Sequence, residues 1–131
     1  MYQEKDNHAK NCAEAYMEEI IRLLSIRERC VKHDHFKWVD DIDEKLMEMP
    51  LSVLVRGPWR VPGTPGDDSG EYQILLATGG PAVRVVGEME EYGSAVSAKI
   101  QYQDWGTPWT DLDDQEESIL IAFADYFYLE G

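Results

Sequence analysis

Five groups of side chains in this 131-residue chain have types and spacings that could do chemistry. His33-Asp34-His35 places two imidazoles two residues apart, as a metal pair on a strand would be. A metal site needs three or four ligands with supporting partners, and His8 is the one further histidine, so the expected reading is a polar connector between helices. Asp40-Asp41-Ile42-Asp43-Glu44 and Asp111-Leu112-Asp113-Asp114 are acid runs without the twelve-residue spacing, central glycine and closing glutamate of a calcium loop. Thr78-Gly79-Gly80-Pro81, with Arg84 beyond it, could turn backbone N–H groups toward an anion. It lacks the Gly-Lys-Ser/Thr ending of a phosphate loop, and Pro81 removes a donor. Cys12 and Cys30 lie 18 residues apart on one helical stripe, about 27 Å along a continuous helix, too far to pair. The densest unusual stretch is Gln103-Asp104-Trp105-Gly106-Thr107-Pro108-Trp109-Thr110, with two indoles flanking a glycine and a proline. Its rings could close the end of a core, or one of them could anchor an interface.

No nucleophile elbow is present, and both cysteines fall on an apolar stripe rather than in an electropositive, open setting. The expectation is a protein that is not an enzyme and uses no metal or other cofactor.

The elements that must position these groups divide the chain into a helical front, 1–49, and a sheet-rich back, 50–131, within a single domain. Cys12, Ala13, Tyr16, Met17, Ile20, Leu24 and Val31 recur at helical spacing, which predicts a helix from Asn7 to Val31 capped by Asp6 or Asn7. A shorter helix follows from Trp38 to Met49, with Val39, Ile42, Leu46 and Met47 inward and Pro50 as its stop. Strands are predicted over Leu51–Val61, Glu71–Thr78, Ala82–Met89 and Ala95–Asp104, the last with Val96, Ala98, Ile100 and Tyr102 on one face. The tract from Pro62 to Gly70 reads as a loop, and the short turns between the later strands require antiparallel pairing. A closing helix spans Asp114 to Tyr128, capped by Asp113 or Asp114, with Glu116 and Glu117 at its positive end. The predicted class is α+β: two N-terminal helices, a four-stranded antiparallel meander and a C-terminal helix packed on the sheet.

Charge sets the expected partners. The chain carries 26 acidic and 12 basic residues, net −14. Residues 1–49 hold 8 basic and 12 acidic side chains, and residues 50–131 hold 4 and 14. Direct nucleic-acid binding needs clustered Lys and Arg, so it is not expected. A basic protein surface is. No apolar leader or membrane-length apolar run is evident in the sequence, which reads as cytoplasmic. The candidate partner-binding residues are Glu88, Glu90, Glu91, Asp104, Trp105, Trp109, Asp111, Asp113 and Asp114.

Two stretches carry a resemblance. Ile74-Leu75-Leu76 followed by Thr78-Gly79-Gly80-Pro81-Ala82-Val83-Arg84, and Tyr102-Gln103-Asp104-Trp105-Gly106-Thr107-Pro108-Trp109-Thr110 before an aromatic-ended helix, resemble a family of short uncharacterised proteins encoded by phages and prophages. The resemblance covers about the last 60 residues and carries no catalytic role. It implies an anti-defence context in a host cell, such as an anti-CRISPR or antirestriction protein whose carboxylates occupy a nucleic-acid groove of a CRISPR effector or other nuclease. Two alternatives of different class stand beside that expectation. One is an assembly module that binds another phage protein or itself as a homodimer. The other is a small ligand-binding domain or enzyme built on the Gly79-Gly80 turn and Arg84.

Overall fold

A computed structural model describes residues 2–57, 62, 70–90, 94–113 and 115–127. The order is α1 (Tyr2–Lys32), α2 (Phe36–Glu48), β1 (Ser52–Arg56), β2 (Gly70–Ala77), β3 (Ala82–Met89), β4 (Lys99–Gln103), β5 (Thr110–Asp111) and α3 (Glu117–Ala124). The strands form one antiparallel sheet in the order β1-β2-β3-β4-β5, so the α+β meander is present with five strands rather than four. The fifth is a two-residue return after the tryptophan loop, too short to show a period of its own.

The sheet buries one face. Ile74, Leu76, Val83, Val85 and Ile100 are buried there, together with Ala13, Met17, Ile20 and Leu23 of α1 and Leu120, Phe123 and Ala124 of α3. Val39, Ile42 and Leu46 of α2 join the same cluster, so a single core runs through both halves of the chain. Burying this apolar face is the main driving force for the fold. Cys30 is buried and Cys12 half-buried, and both are free thiols. Among the described residues no helix is long and apolar enough to cross a membrane.

Several boundaries move. Helix α1 begins at Tyr2, so Asp6 and Asn7 lie inside it rather than capping it. Val31 and Met47, expected inward, are exposed, because each sits one residue, about 100° of helical turn, off the buried stripe that Cys30 and Leu46 hold at the same helix ends. The connector between α1 and α2 turns on Asp34 at φ 60°, with the His35 N–H closing on the Cys30 carbonyl at 2.9 Å. Helix α3 starts at Glu117, its N-cap Glu116 makes no side-chain cap, and Asp113 lies outside the helix. Tyr126 and Phe127 follow α3 in a turn yet still pack on the core. Residues 58–61, the expected end of the first strand, lie outside the described residues, as does Tyr128.

The largest departure is at the start of β4. Val86 pairs with Lys99 and Met89 with Ala95, so three steps along β3 match four on the facing strand. The extra residue makes a β-bulge. The Glu88 carbonyl accepts from both Val96 (2.9 Å) and Ser97 (3.4 Å), and Val96 is left exposed while Ala98 and Ile100 stay inward. Because β5 is short, side chains around α3 complete the outer edge of β4. The backbone N–H groups of Ala95, Ala98 and Ile100 donate to Asp125 (3.0 Å), Glu117 (3.4 Å) and Gln115 (2.7 Å). Glu117, which reads from the sequence as a helix-dipole partner, thus serves with Asp125 and Gln115 to satisfy a strand edge, as buried backbone donors require.

One polar junction ties the helices together. Asp43 of α2 accepts from Arg27 Nε at 2.6 Å and from the Tyr126 hydroxyl at 2.7 Å. Burial pushes the Asp43 carboxyl up, but the Arg27 and Tyr126 hydrogen bonds outweigh it and hold the group below its ordinary value. Burial and the same carboxylate raise the Tyr126 phenol to about 12. A depressed carboxyl stabilises the fold above its unfolded pKa, near 4, and loses that contribution as pH falls through the folded value. Asp43→Asn is therefore expected to cost about 1–3 kcal/mol at neutral pH, with the gap to wild type closing as pH drops below about 4. Paired thermal melts from pH 7 to pH 3 check this, and a gap that stays constant would remove the ionised junction from the account.

Candidate functional site

Two features stand out from the sheet, and they lie on different parts of it. The first is the loop joining β4 to β5. The Thr107 N–H closes on the Asp104 carbonyl at 3.1 Å, and Gly106 sits at φ 75°, the left-handed third position that favours glycine in a type II turn. Side chains lock this turn from both sides. Asp104 Oδ1 accepts the Trp105 N–H at 2.9 Å, Thr107 Oγ1 accepts the Asp104 N–H at 2.9 Å, and Gln103 Nε2 donates to the Thr107 carbonyl at 2.8 Å. The result presents Trp105 with 83% of its surface exposed on a backbone fixed by four hydrogen bonds.

Trp109 behaves differently. Its ring is half-buried beneath the Arg84 guanidinium, 4.0 Å from centroid to Cζ. The two indoles that the sequence places together are therefore separated by role: one packs, and the other faces solvent.

The second feature is the sheet face that, among the described residues, bears no helix. Strand register puts Leu54, Gln73, Val86 and Lys99 in one row of this face, Arg56, Glu71 and Glu88 in the next, and Leu75, Arg84, Gln101 and Asp111 in a third. All of these except Leu75 and Asp111 line a concave surface of about 880 Å³. Arg84 Nε donates to Gln101 Oε1 at 2.9 Å, Arg84 Nη1 donates to Gln73 Oε1 at 2.8 Å, and Gln101 Nε2 donates to Asp111 Oδ1 at 2.7 Å. Burial lowers the Arg84 guanidinium from its ordinary value. The Gly79-Gly80 turn does not line this surface, so Arg84 is held by neighbours on β2 and β4 and not by the glycine turn. Polar Gln73, Arg84 and Gln101 at alternating strand positions were the sequence signal for this cluster, visible only once the strands are aligned.

The candidate acids do not form one patch. Glu88 and Glu90 are exposed at the end of β3, and neither makes an ion pair among the described residues. Ala82 pairs with Gln103, so the Trp105 turn belongs to the opposite end of β3, about 20 Å away along the strand. Asp104 is half-buried and committed to the turn. Asp111 lies 3.6 Å from Lys99 Nζ, and Asp113 lies 3.7 Å from Lys10 Nζ. Glu91 and Asp114 lie outside the described residues. Among the described residues no group of three His, Cys, Asp or Glu side chains converges on a metal position, and His33, Asp34 and His35 are exposed.

Comparison of the chain with protein-family models, with curated proteins and with solved structures finds no match.

Proposed function

We propose that this protein acts by binding rather than by catalysis, as an acidic inhibitor that docks on a basic protein surface through Trp105. The carrying observation is the rigid turn that holds an indole 83% exposed in a protein of net charge −14. Tryptophan is enriched at interface hot spots, and a turn whose backbone is already fixed loses little backbone entropy on docking. The negative field steers the encounter, with Glu88 and Glu90 as carboxylates free to meet Lys or Arg. The resemblance of the Thr78–Arg84 and Tyr102–Thr110 stretches to phage-encoded proteins directs the choice of partner to a host defence complex that holds nucleic acid, with a CRISPR–Cas effector as the leading case. Because the carboxylates are spread over both ends of the sheet, occlusion of the nucleic-acid channel fits this reading better than a continuous imitation of a phosphate row.

Charge reversal tests the steering. Replacing Glu88 and Glu90 by Lys removes acids that carry no fold-stabilising ion pair among the described residues. The folded variant is expected to associate with a basic effector about tenfold more slowly at low salt, with most of the difference gone at high salt. Stopped-flow association at two ionic strengths reads it, and equal rates for wild type and variant would remove these acids from the mechanism.

An assembly module is the second reading. Among the described residues strand β1 ends the sheet, and Leu54 on it and Leu51 just before it are exposed. Mass measured against protein concentration separates the two, since self-association through that edge raises the mass and inhibitor action does not require it.

A further inference from the structure

Among the described residues, the sheet face without a helix gathers the cations of the back half, beside the carboxylates of Glu71 and Glu88. Residues 50–131 contain four basic side chains against fourteen acidic ones. Three of the four, Arg56, Arg84 and Lys99, line the same 880 Å³ concavity. Arg56 is paired with Glu71, and Lys99 lies 3.6 Å from Asp111. Arg84, between them, has no carboxylate partner among the described residues. Its contacts are two neutral amide oxygens and an indole face.

A guanidinium carries five N–H donors, and two of these are used. The two glutamines and Trp109 fix its plane, and Asp111 fixes Gln101 in turn. This is a preorganised fork with unspent donors in a partly desolvated setting, the arrangement that recognises a planar or tetrahedral oxyanion. Leu54 and Val86 add an apolar flank to the same concavity, whose volume falls in the range of small-molecule sites.

We infer that the concave sheet face is a binding site for a small organic anion, with Arg84 receiving its carboxylate or phosphate group. The site does not include the Trp105 turn, although Glu88, one of the steering acids, lies in its lining.

The test follows the Arg84 Nε–H and Trp109 indole N–H signals by NMR in the intact protein while citrate, inorganic phosphate or adenosine monophosphate is added. At least one probe is expected to shift both signals saturably, with a Kd of about 1 mM or tighter, and to leave the Trp105 indole unmoved. Citrate alone would assign a carboxylate, and either phosphate probe alone a phosphate. Arg84→Met should weaken binding by at least about tenfold. Gln73→Glu supplies an internal carboxylate to Arg84 and should abolish binding with Arg84 still present, which decides the matter if Arg84→Met does not fold. Trp105→Ala should bind the anion as wild type does. No saturable shift with any probe, shifts that track ionic strength alone, or unchanged binding in a folded Gln73→Glu protein would each overturn the assignment.

Discussion

Gly87→Ala is expected to destabilise the protein by about 3 kcal/mol and to lower its Tm by roughly 10 °C, although it adds a single methyl group. Gly87 lies opposite Tyr72 in the register of β2 and β3. The bulge at Val96 and Ser97 presses the backbone of the facing strand over this position, and the Tyr72 hydroxyl donates to the Ser97 carbonyl at 2.7 Å. A Cβ on Gly87 would collide with that carbonyl oxygen and with the Tyr72 hydroxyl. Ser97 Oγ also accepts the Glu88 N–H at 2.9 Å, so the bulged backbone is pinned from both sides and cannot yield cheaply. Relieving the clash must disturb a contact made by Tyr72, which is buried in the core. Chemical denaturation of wild type and variant measures the cost. A variant as stable as wild type would mean that the bulge is not packed as described.

Trp105→Ala carries the opposite signature. An indole with 83% of its surface exposed contributes little to folding, so the melting temperature should stay within about 1–2 °C of wild type. Affinity for the partner should fall by about 2–4 kcal/mol, roughly thirtyfold to a thousandfold. Trp109→Ala separates the two tryptophans. It removes the ring beneath Arg84 and so is expected to lower stability measurably where Trp105→Ala does not. Titration calorimetry with the purified partner, run beside thermal melts, checks both halves. Unchanged affinity in the folded Trp105→Ala protein would leave the turn without its assigned role.

The helices and the middle strands were legible because their burial repeats. The stripe through Ala13, Met17 and Ile20 and the alternation through Tyr72, Ile74 and Leu76 each reflect one apolar face turned to one core. The bulge was not legible, since alternation through Val96, Ala98 and Ile100 remains intact on paper while an inserted residue reverses its meaning. The tryptophan stretch was visible as composition, but the division between an exposed Trp105 and a packed Trp109 depends on a partner, Arg84, two strands away. The acids were visible as a count and not as a surface. Asp111 and Asp113 lie beside lysines from β4 and α1, and Asp125 and Glu117 accept strand backbone donors, all contacts between residues distant in sequence.

Association with purified, guide-loaded CRISPR–Cas effectors, measured before and after target DNA fills them and at low and physiological salt, tests the central claim most directly. The account predicts binding to a DNA-free effector that slows as salt rises, is lost when DNA already occupies the channel, and is lost in Trp105→Ala. Binding indifferent to salt, DNA and Trp105, or no binding to any effector tested, would contradict it.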